Sequence, residues 1–238
     1  MFWRWVTNAA NERKLEIDGD IASEAWFDGE VTPKQFREQL YAGDGPITLR
    51  INSPGGDVFA ASEMYDMLLE YPGAVTVHIP SLAASAASFL AMAGAKVLVG
   101  ATGTIMIHNP ATIAWGEEKE LKAGVNLLRE VKENIINAYE RKTKLSRNKL
   151  AAMMDAETWM GANKAIELGF ADGILHEDTG QEPTTAKAAA GFLFDRRTNE
   201  QIVLNALRAR LPKPAEPLSP AGFPLENFQR RLDLRNRL

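Results

Sequence analysis

The chain has 238 residues and a net charge of −4, with 45% apolar and 24% charged residues. This composition is typical of a globular protein with one domain and an extension, and neither nucleic acid nor a membrane is expected as a partner. Because the chain has no cysteine, disulfides, thiolate catalysis and cysteine-bound metals are excluded. The first residues lack the apolar core of a signal peptide, so the cytoplasm is the expected location.

Strand-like and helix-like segments alternate along most of the chain, which predicts an α/β layered domain. The predicted strands are Leu15–Ile17, Ile47–Ile51, Ala74–Ile79, Lys96–Val99 and Thr104–His108. The predicted helices are Val58–Tyr71, Ala84–Ala93, Glu117–Lys142, Ser146 to about Met154, and Ala162–Leu168.

The longest predicted helix, Glu117–Lys142, is amphipathic. Its apolar residues recur at steps of three or four, or at their sum, and so share one side of the helix. They are Leu121, Val125, Leu128, Ile135 and Tyr139. A stripe on so long a helix needs a partner surface, so we expect a homo-oligomer.

The composition changes near residue 178. The segment 178–238 contains six of the twelve prolines, which are incompatible with helix interiors and inner strands. We therefore predict a folded domain at residues 1–177 and a proline-rich, largely irregular and mobile tail at 178–238.

A glycine pair follows the predicted strand Ile47–Ile51, within the run Asn52–Asp57. Gly55 and Gly56 allow backbone conformations with positive φ and a close approach to a ligand. Their N–H groups are suited to an oxyanion hole, although a simple strand-to-helix turn explains the same residues.

Ser85 lies at the predicted start of a helix of small residues, in the run Leu82–Ser88. Unpaired N–H groups at a helix start favour a nucleophile whose attack creates an oxyanion. The plainer interpretation of Ser85 is a helix cap. Ser88 is a second candidate nucleophile, but it lies one turn deeper in the helix.

His108 ends an apolar strand and directly precedes Asn109 and Pro110. A histidine at a strand end can act as a general base, or it can be a partly buried residue bonded to the backbone. His78, inside a strand, and His176, beside the tail, are weaker candidates.

The order and spacing of these segments resemble the Clp proteolytic-subunit family. The run SPGG, the run AASAAS with Ser85 placed 23 residues before His108, and the long helix all match, over roughly Lys14–Leu175. The chain looks most like the shorter branch of phage and prophage head-maturation proteases. The resemblance implies a crotonase-like, Clp-type spiral of ββα units, in which a long handle helix joins stacked rings.

The resemblance also implies residue roles. Ser85 is the expected nucleophile and His108 the expected base. The oxyanion hole is expected from a backbone N–H of Gly55 or Gly56 together with that of Ala86.

The third member of the triad departs from the family pattern. Aligning Trp159–Ala162 without gaps places Met153 where the family has its aspartate. We predict Asp155 for this role, with Glu157 as the rival and an asparagine or a water as further alternatives. Asp172 is interpreted as structural.

Members of the family that work with an unfolding ATPase have a longer segment before the first strand. Here that segment is short, so a Clp-type ATPase is not expected as a partner.

Together these observations predict a serine endopeptidase that needs no cofactor and no metal. It would cleave peptide or protein substrates in a homo-oligomeric ring, with or without stacking of rings, and would act in phage prohead maturation. Two alternatives remain. One is a non-catalytic, ring-forming assembly factor, and the other is an acyl-CoA hydratase or isomerase of the same fold.

Overall fold

The computed structural model describes residues 13–27 and 29–176, which contain eight strands and six helices. The strands are β1 (Arg13–Asp18), β2 (Ile47–Asn52), β3 (Val75–Ile79), β4 (Leu82–Ala84), β5 (Lys96–Val99), β6 (Thr104–Ile107), β7 (Thr158–Gly161) and β8 (Gly173–Ile174). The helices are α1 (Pro33–Leu40), α2 (Val58–Glu70), α3 (Ala86–Ala91), α4 (Glu118–Thr143), α5 (Arg147–Asp155) and α6 (Ala162–Glu167).

The larger sheet has five parallel strands in the order β1-β2-β3-β5-β8. Along β2 and β3, residues that face the core alternate with more exposed residues, and the core-facing residues are buried. Leu49 and Ile51 of β2 and Val77 of β3 are examples, each with no exposed area.

The smaller sheet has the order β4-β6-β7, with β4 parallel and β7 antiparallel to β6. The segments β3-β4-α3 and β5-β6-α4 each place one strand in each sheet and then continue into a helix. This repetition confirms the predicted α/β spiral of ββα units with its long helix.

Helix α4 has two different halves. Its C-terminal half buries Val131, Ile136 and Tyr139 in the core, and the Tyr139 ring meets the Phe170 ring edge-on at 5.5 Å. In its N-terminal half, Leu121 and Val125 are 45% and 49% exposed. The body of the described chain therefore covers only part of the predicted apolar stripe.

Several local predictions were wrong or incomplete. Ala84 belongs to strand β4 rather than to a helix, because its N–H donates to Ser53 O at 3.0 Å and the strand pairs with β6. Helix α1 was not predicted, although Thr32 and Gln35 form a capping box at its start. The short strands β7 and β8 were also missed.

The predicted tail, 178–238, lies outside the described residues. Within residues 13–27 and 29–176, no helix has the length and apolar character needed to cross a bilayer.

Candidate active site

Ser85 occupies the sharp turn between strand β4 and helix α3. Its backbone has φ 53° and ψ −126°, a region that residues other than glycine rarely adopt. Such a conformation costs on the order of 1–3 kcal/mol and persists only where neighbouring groups hold it. Here the Ser85 N–H donates to Met106 O at 3.0 Å, which ties the turn to strand β6.

His108 lies directly beside Ser85. In the parallel pair β4–β6, Ala84 is opposite Met106, so the residues that follow both strands emerge at the same edge of the sheet. The His108 Nε2 atom is 2.7 Å from Ser85 Oγ, and both residues are half-buried. An imidazole at this distance can take the hydroxyl proton as the oxygen attacks a carbonyl carbon.

The glycine turn packs against the Ser85 turn. A Cβ added to Gly55 would lie 2.7 Å from Ser85 Cβ and 2.9 Å from Ala86 N, which explains why the position has no side chain. The N–H of Gly55 donates to Ser53 Oγ at 3.1 Å. The Gly56 and Ala86 N–H groups have no acceptor within the described part of the chain. These two amides are therefore available to an oxyanion, whereas the Gly55 amide is occupied.

Ser88, the second candidate nucleophile, is fully buried. Its Oγ donates to Ser85 O at 2.6 Å and lies 2.7 Å from the Tyr139 hydroxyl oxygen. A substrate carbonyl cannot reach an oxygen enclosed in this way. The structure therefore favours Ser85 over Ser88 on grounds of access.

Asp155 is the last residue of helix α5, and it contacts Asn109, the residue that follows His108. Its Oδ1 accepts hydrogen bonds from Asn109 Nδ2 at 2.8 Å and from Lys132 Nζ at 2.5 Å. The ammonium of Lys132, followed by the Asn109 amide, lowers the pKa of Asp155 below its ordinary value. The carboxylate is therefore charged at neutral pH and attached to the His108 segment.

The other acidic candidates lie in different surroundings. Glu157 accepts a hydrogen bond from Trp159 Nε1 at 3.3 Å and has a positive φ of 49°. Met153, at the family's aspartate position, packs against the core. Asp172 accepts from Val97 N at 2.7 Å and Lys142 Nζ at 2.6 Å, in agreement with the structural role expected for it.

Asn109, Lys132 and Tyr139 were not predicted as parts of the site. The sequence showed Asn109 only as the residue that follows His108. Lys132 and Tyr139 come close to the site because α4 packs against it, and this packing cannot be predicted from residue spacing. Asn109 Oδ1 is buried and has no hydrogen-bond partner among the described residues, which is uncommon for a buried polar atom. Residues 13–27 and 29–176 contain no cluster of three or more histidine or acidic side chains that could hold a metal.

A model of the Clp protease family matches residues 10–178, well over half of the chain. The ATP-dependent Clp protease proteolytic subunit 1 of Chlamydia muridarum is 35% identical over 151 residues, which cover 61% of this chain and 78% of that protein. Its counterpart from Chlamydia trachomatis serovar D is 36% identical over 151 residues, with the same coverage of 61% and 78%.

A more distant relative is the ATP-dependent Clp protease proteolytic subunit of Bacteroides fragilis (strain NCTC 9343). It is 32% identical over 131 residues, which cover 54% of this chain and 63% of that protein. The matched region contains the complete ββα spiral and the Ser85–His108 pair. The chain belongs to the Clp protease family of serine-type peptidases.

Proposed function

We propose that the chain is a serine endopeptidase in which Ser85 is the nucleophile and His108 the general base. The 2.7 Å contact between Ser85 Oγ and His108 Nε2 is the observation that carries this proposal. His108 takes the hydroxyl proton while Oγ bonds to the substrate carbonyl carbon. The proton then passes to the leaving amine as the peptide bond breaks, and water, activated by His108, hydrolyses the acyl-enzyme.

The oxyanion of each tetrahedral intermediate would be held by the N–H groups of Gly56 and Ala86. Gly55, the neighbour of Gly56, lies against Ser85 and Ala86, and its own amide is already bonded to Ser53 Oγ. Removing one such donor in a serine protease lowers kcat by roughly 10²–10³-fold. The proposal therefore selects Gly56 from the two glycines that the sequence left open.

Asp155 is proposed as the acidic positioning residue of the site. Its bond to Asn109 restrains the segment that carries His108, and its negative charge stabilises the imidazolium formed during attack. Glu157 is the weaker candidate because its carboxylate is bonded to the Trp159 indole.

A homo-oligomeric ring is proposed as the working assembly, formed through the exposed half of α4. Trp115 and Ile113, just before the helix, are 82% and 54% exposed, and Leu121 and Val125 near its start are 45% and 49% exposed. Several large exposed apolar residues in one stretch of chain are typical of protein interfaces. Peptides or unfolded proteins are the proposed substrates.

Phage prohead maturation is proposed as the biological process, on the strength of the motif arrangement. The expectation that no Clp-type ATPase takes part stays a prediction, because it rests partly on residues 1–12, which lie outside the described residues. Degradation of a folded protein with and without such an ATPase tests it.

Labelling with a serine-directed fluorophosphonate tests the catalytic proposal. We expect one adduct per chain by intact mass, located on Ser85 by peptide mapping, together with hydrolysis of an unfolded protein substrate. A chain that neither takes the label nor cleaves peptides would support the non-catalytic assembly factor. Hydration of an enoyl-CoA by both the unmodified chain and Ser85→Ala would support the hydratase.

A further inference from the structure

Beneath the Ser85 turn lies a pair of buried hydroxyl groups that the proposed mechanism does not use. Ser88 in α3 has no exposed area, and Tyr139 in α4 is 1% exposed. Their oxygens are 2.7 Å apart, although the residues are 51 positions apart in sequence. A buried polar pair in an otherwise apolar core requires an explanation, because apolar side chains would fill the same space.

The direction of the hydrogen bonds follows from the available protons. Ser88 Oγ donates its single hydrogen to Ser85 O at 2.6 Å, and the Ser88 N–H donates to the same oxygen at 2.9 Å. The Tyr139 hydroxyl must therefore be the donor to Ser88 Oγ. Burial raises the pKa of Tyr139 above its ordinary value, so the phenol keeps the proton that this bond needs.

The oxygen that receives these bonds belongs to the peptide unit whose other end is the N–H of Ala86. That unit is trans, as are all described peptide bonds, so its C=O and N–H point in opposite directions. Fixing Ser85 O towards Ser88, in the interior, directs the Ala86 N–H away from the core. This is the N–H that the mechanism assigns to the oxyanion.

We propose that Ser88 and Tyr139 are a positioning pair that orients the Ala86 N–H of the oxyanion hole through the carbonyl of Ser85. The inference rests on the proposed function, since it assigns a role within the same site. Neither side chain touches the substrate. The two bonds to Ser85 O also help to hold the rare backbone conformation of Ser85 (φ 53°).

The substitutions Ser88→Ala and Tyr139→Phe, alone and combined, test the proposal. Tyr139→Phe keeps the ring that packs on Phe170, so it removes the hydroxyl without opening a cavity. Tyr71→Phe is the matched control. Its buried hydroxyl donates to Gly45 O at 2.8 Å and accepts from Arg13 at 2.8 Å, in a cluster that contains none of the proposed site residues.

The measurements are kcat and KM for a peptide substrate, with active sites counted by fluorophosphonate titration. Because the donor is misdirected rather than removed, we expect Ser88→Ala to lower kcat per active site by about tenfold to hundredfold, with KM nearly unchanged. Tyr139→Phe should lower kcat less, and it should add nothing in the Ser88→Ala background. Tyr71→Phe should leave kcat unchanged even where it lowers the melting temperature.

The result separates this inference from the proposed function. If the unmodified chain is active and all three variants keep its kcat per active site, the positioning pair is overturned and the peptidase proposal stands. A fall confined to the number of titratable sites would show a merely structural role and would also overturn it. An unmodified chain without label or hydrolysis would overturn both.

Discussion

The backbone of Gly55 lies against Ser85 so closely that no side chain fits between them. A Cβ on Gly55 would be 2.7 Å from Ser85 Cβ and 2.8 Å from Ala84 O, and Gly55 itself has φ +105°. This contact joins the turn that carries the proposed nucleophile to the turn that carries a proposed oxyanion donor. The geometry of the site therefore requires glycine at position 55.

Gly55→Ala should damage both stability and activity. The new methyl group meets backbone atoms that cannot rotate away, in addition to the cost of about 1–2 kcal/mol for positive φ in a residue with a Cβ. Gly45→Ala is the control, because Gly45 has φ +93° but no atom within 4 Å of the added Cβ. Thermal unfolding and kcat/KM should show a clearly larger loss for Gly55→Ala. Equal losses would mean that only the backbone angle matters.

Ser85→Ala should abolish peptidase activity and leave the fold intact. The change removes one half-buried oxygen, so the effect on unfolding should be about 1 kcal/mol or less. The fall in kcat should reach several orders of magnitude, as for other triad nucleophiles. Circular dichroism and peptide hydrolysis measure the two effects. Retained fluorophosphonate labelling in Ser85→Ala would place the nucleophile elsewhere.

The sequence predicted the large elements because their signals are local. The stripe of α4 has helical spacing, and the predicted bounds lie within one residue of Glu118–Thr143. Ser85 and His108 each have a plainer interpretation when taken alone. They were predicted as a pair from the order and spacing of their segments, which resemble the Clp proteolytic-subunit family.

The missed features depend on contacts between distant segments. Strand β4 has three residues, two of them alanine, which favour helix locally. Its pairing with β6 and its bonds to Ser53 make it a strand. The Ser85 conformation and the Ser88–Tyr139 contact arise from tertiary packing in the same way. Helix α1 is different, since its capping box at Thr32 was present in the sequence and was overlooked.

Asp155→Asn and Glu157→Gln should separate the two acidic candidates. Loss of the Asp155 charge weakens its ion pair with Lys132 and removes the negative charge proposed to stabilise protonated His108. We expect kcat to fall by up to roughly 10⁴-fold, the loss known for a triad aspartate. Glu157→Gln should be nearly silent, because its contact is with the Trp159 indole. Equal and small effects would show that neither carboxylate takes part.

The lowered pKa of Asp155 also predicts a pH dependence of stability. A depressed folded-state pKa means that the charged form is favoured by folding, so the stabilisation is complete above the ordinary value of 3.8. It is lost as the pH falls through the folded-state pKa. The melting temperatures of the unmodified chain and of Asp155→Asn should therefore converge in acid and differ by a constant amount above about pH 5. A difference that grows on acidification would contradict the assignment.

Removal of residues 178–238 should leave the domain folded. The last described strand, β8, is already paired with β5, and Leu175 is bonded to Val99 O at 2.8 Å. The core of the described residues therefore extends to the end of the described chain, just before the predicted tail. A chain ending at Glu177 should keep the circular dichroism spectrum and melting temperature of the full chain. Unfolding of this shorter chain would place the domain boundary further along the sequence.

The exposed half of α4 should hold the subunits together. Val125 is 49% exposed and belongs to the apolar side of the helix, so a glutamate there costs the isolated subunit little but puts a charge into the proposed interface. Ala123 is the matched control. It is also exposed, and two residues earlier in an α-helix lies about 200° around the axis, on the opposite side.

Light scattering at micromolar concentration should therefore show an oligomer for the unmodified chain and for Ala123→Glu, and smaller species for Val125→Glu. The circular dichroism spectra of all three should agree, because neither position is buried within one subunit. Assembly that survives Val125→Glu would move the interface to another surface. A monomeric unmodified chain would contradict the ring itself, since the apolar residues of α4 would then remain in water without a partner.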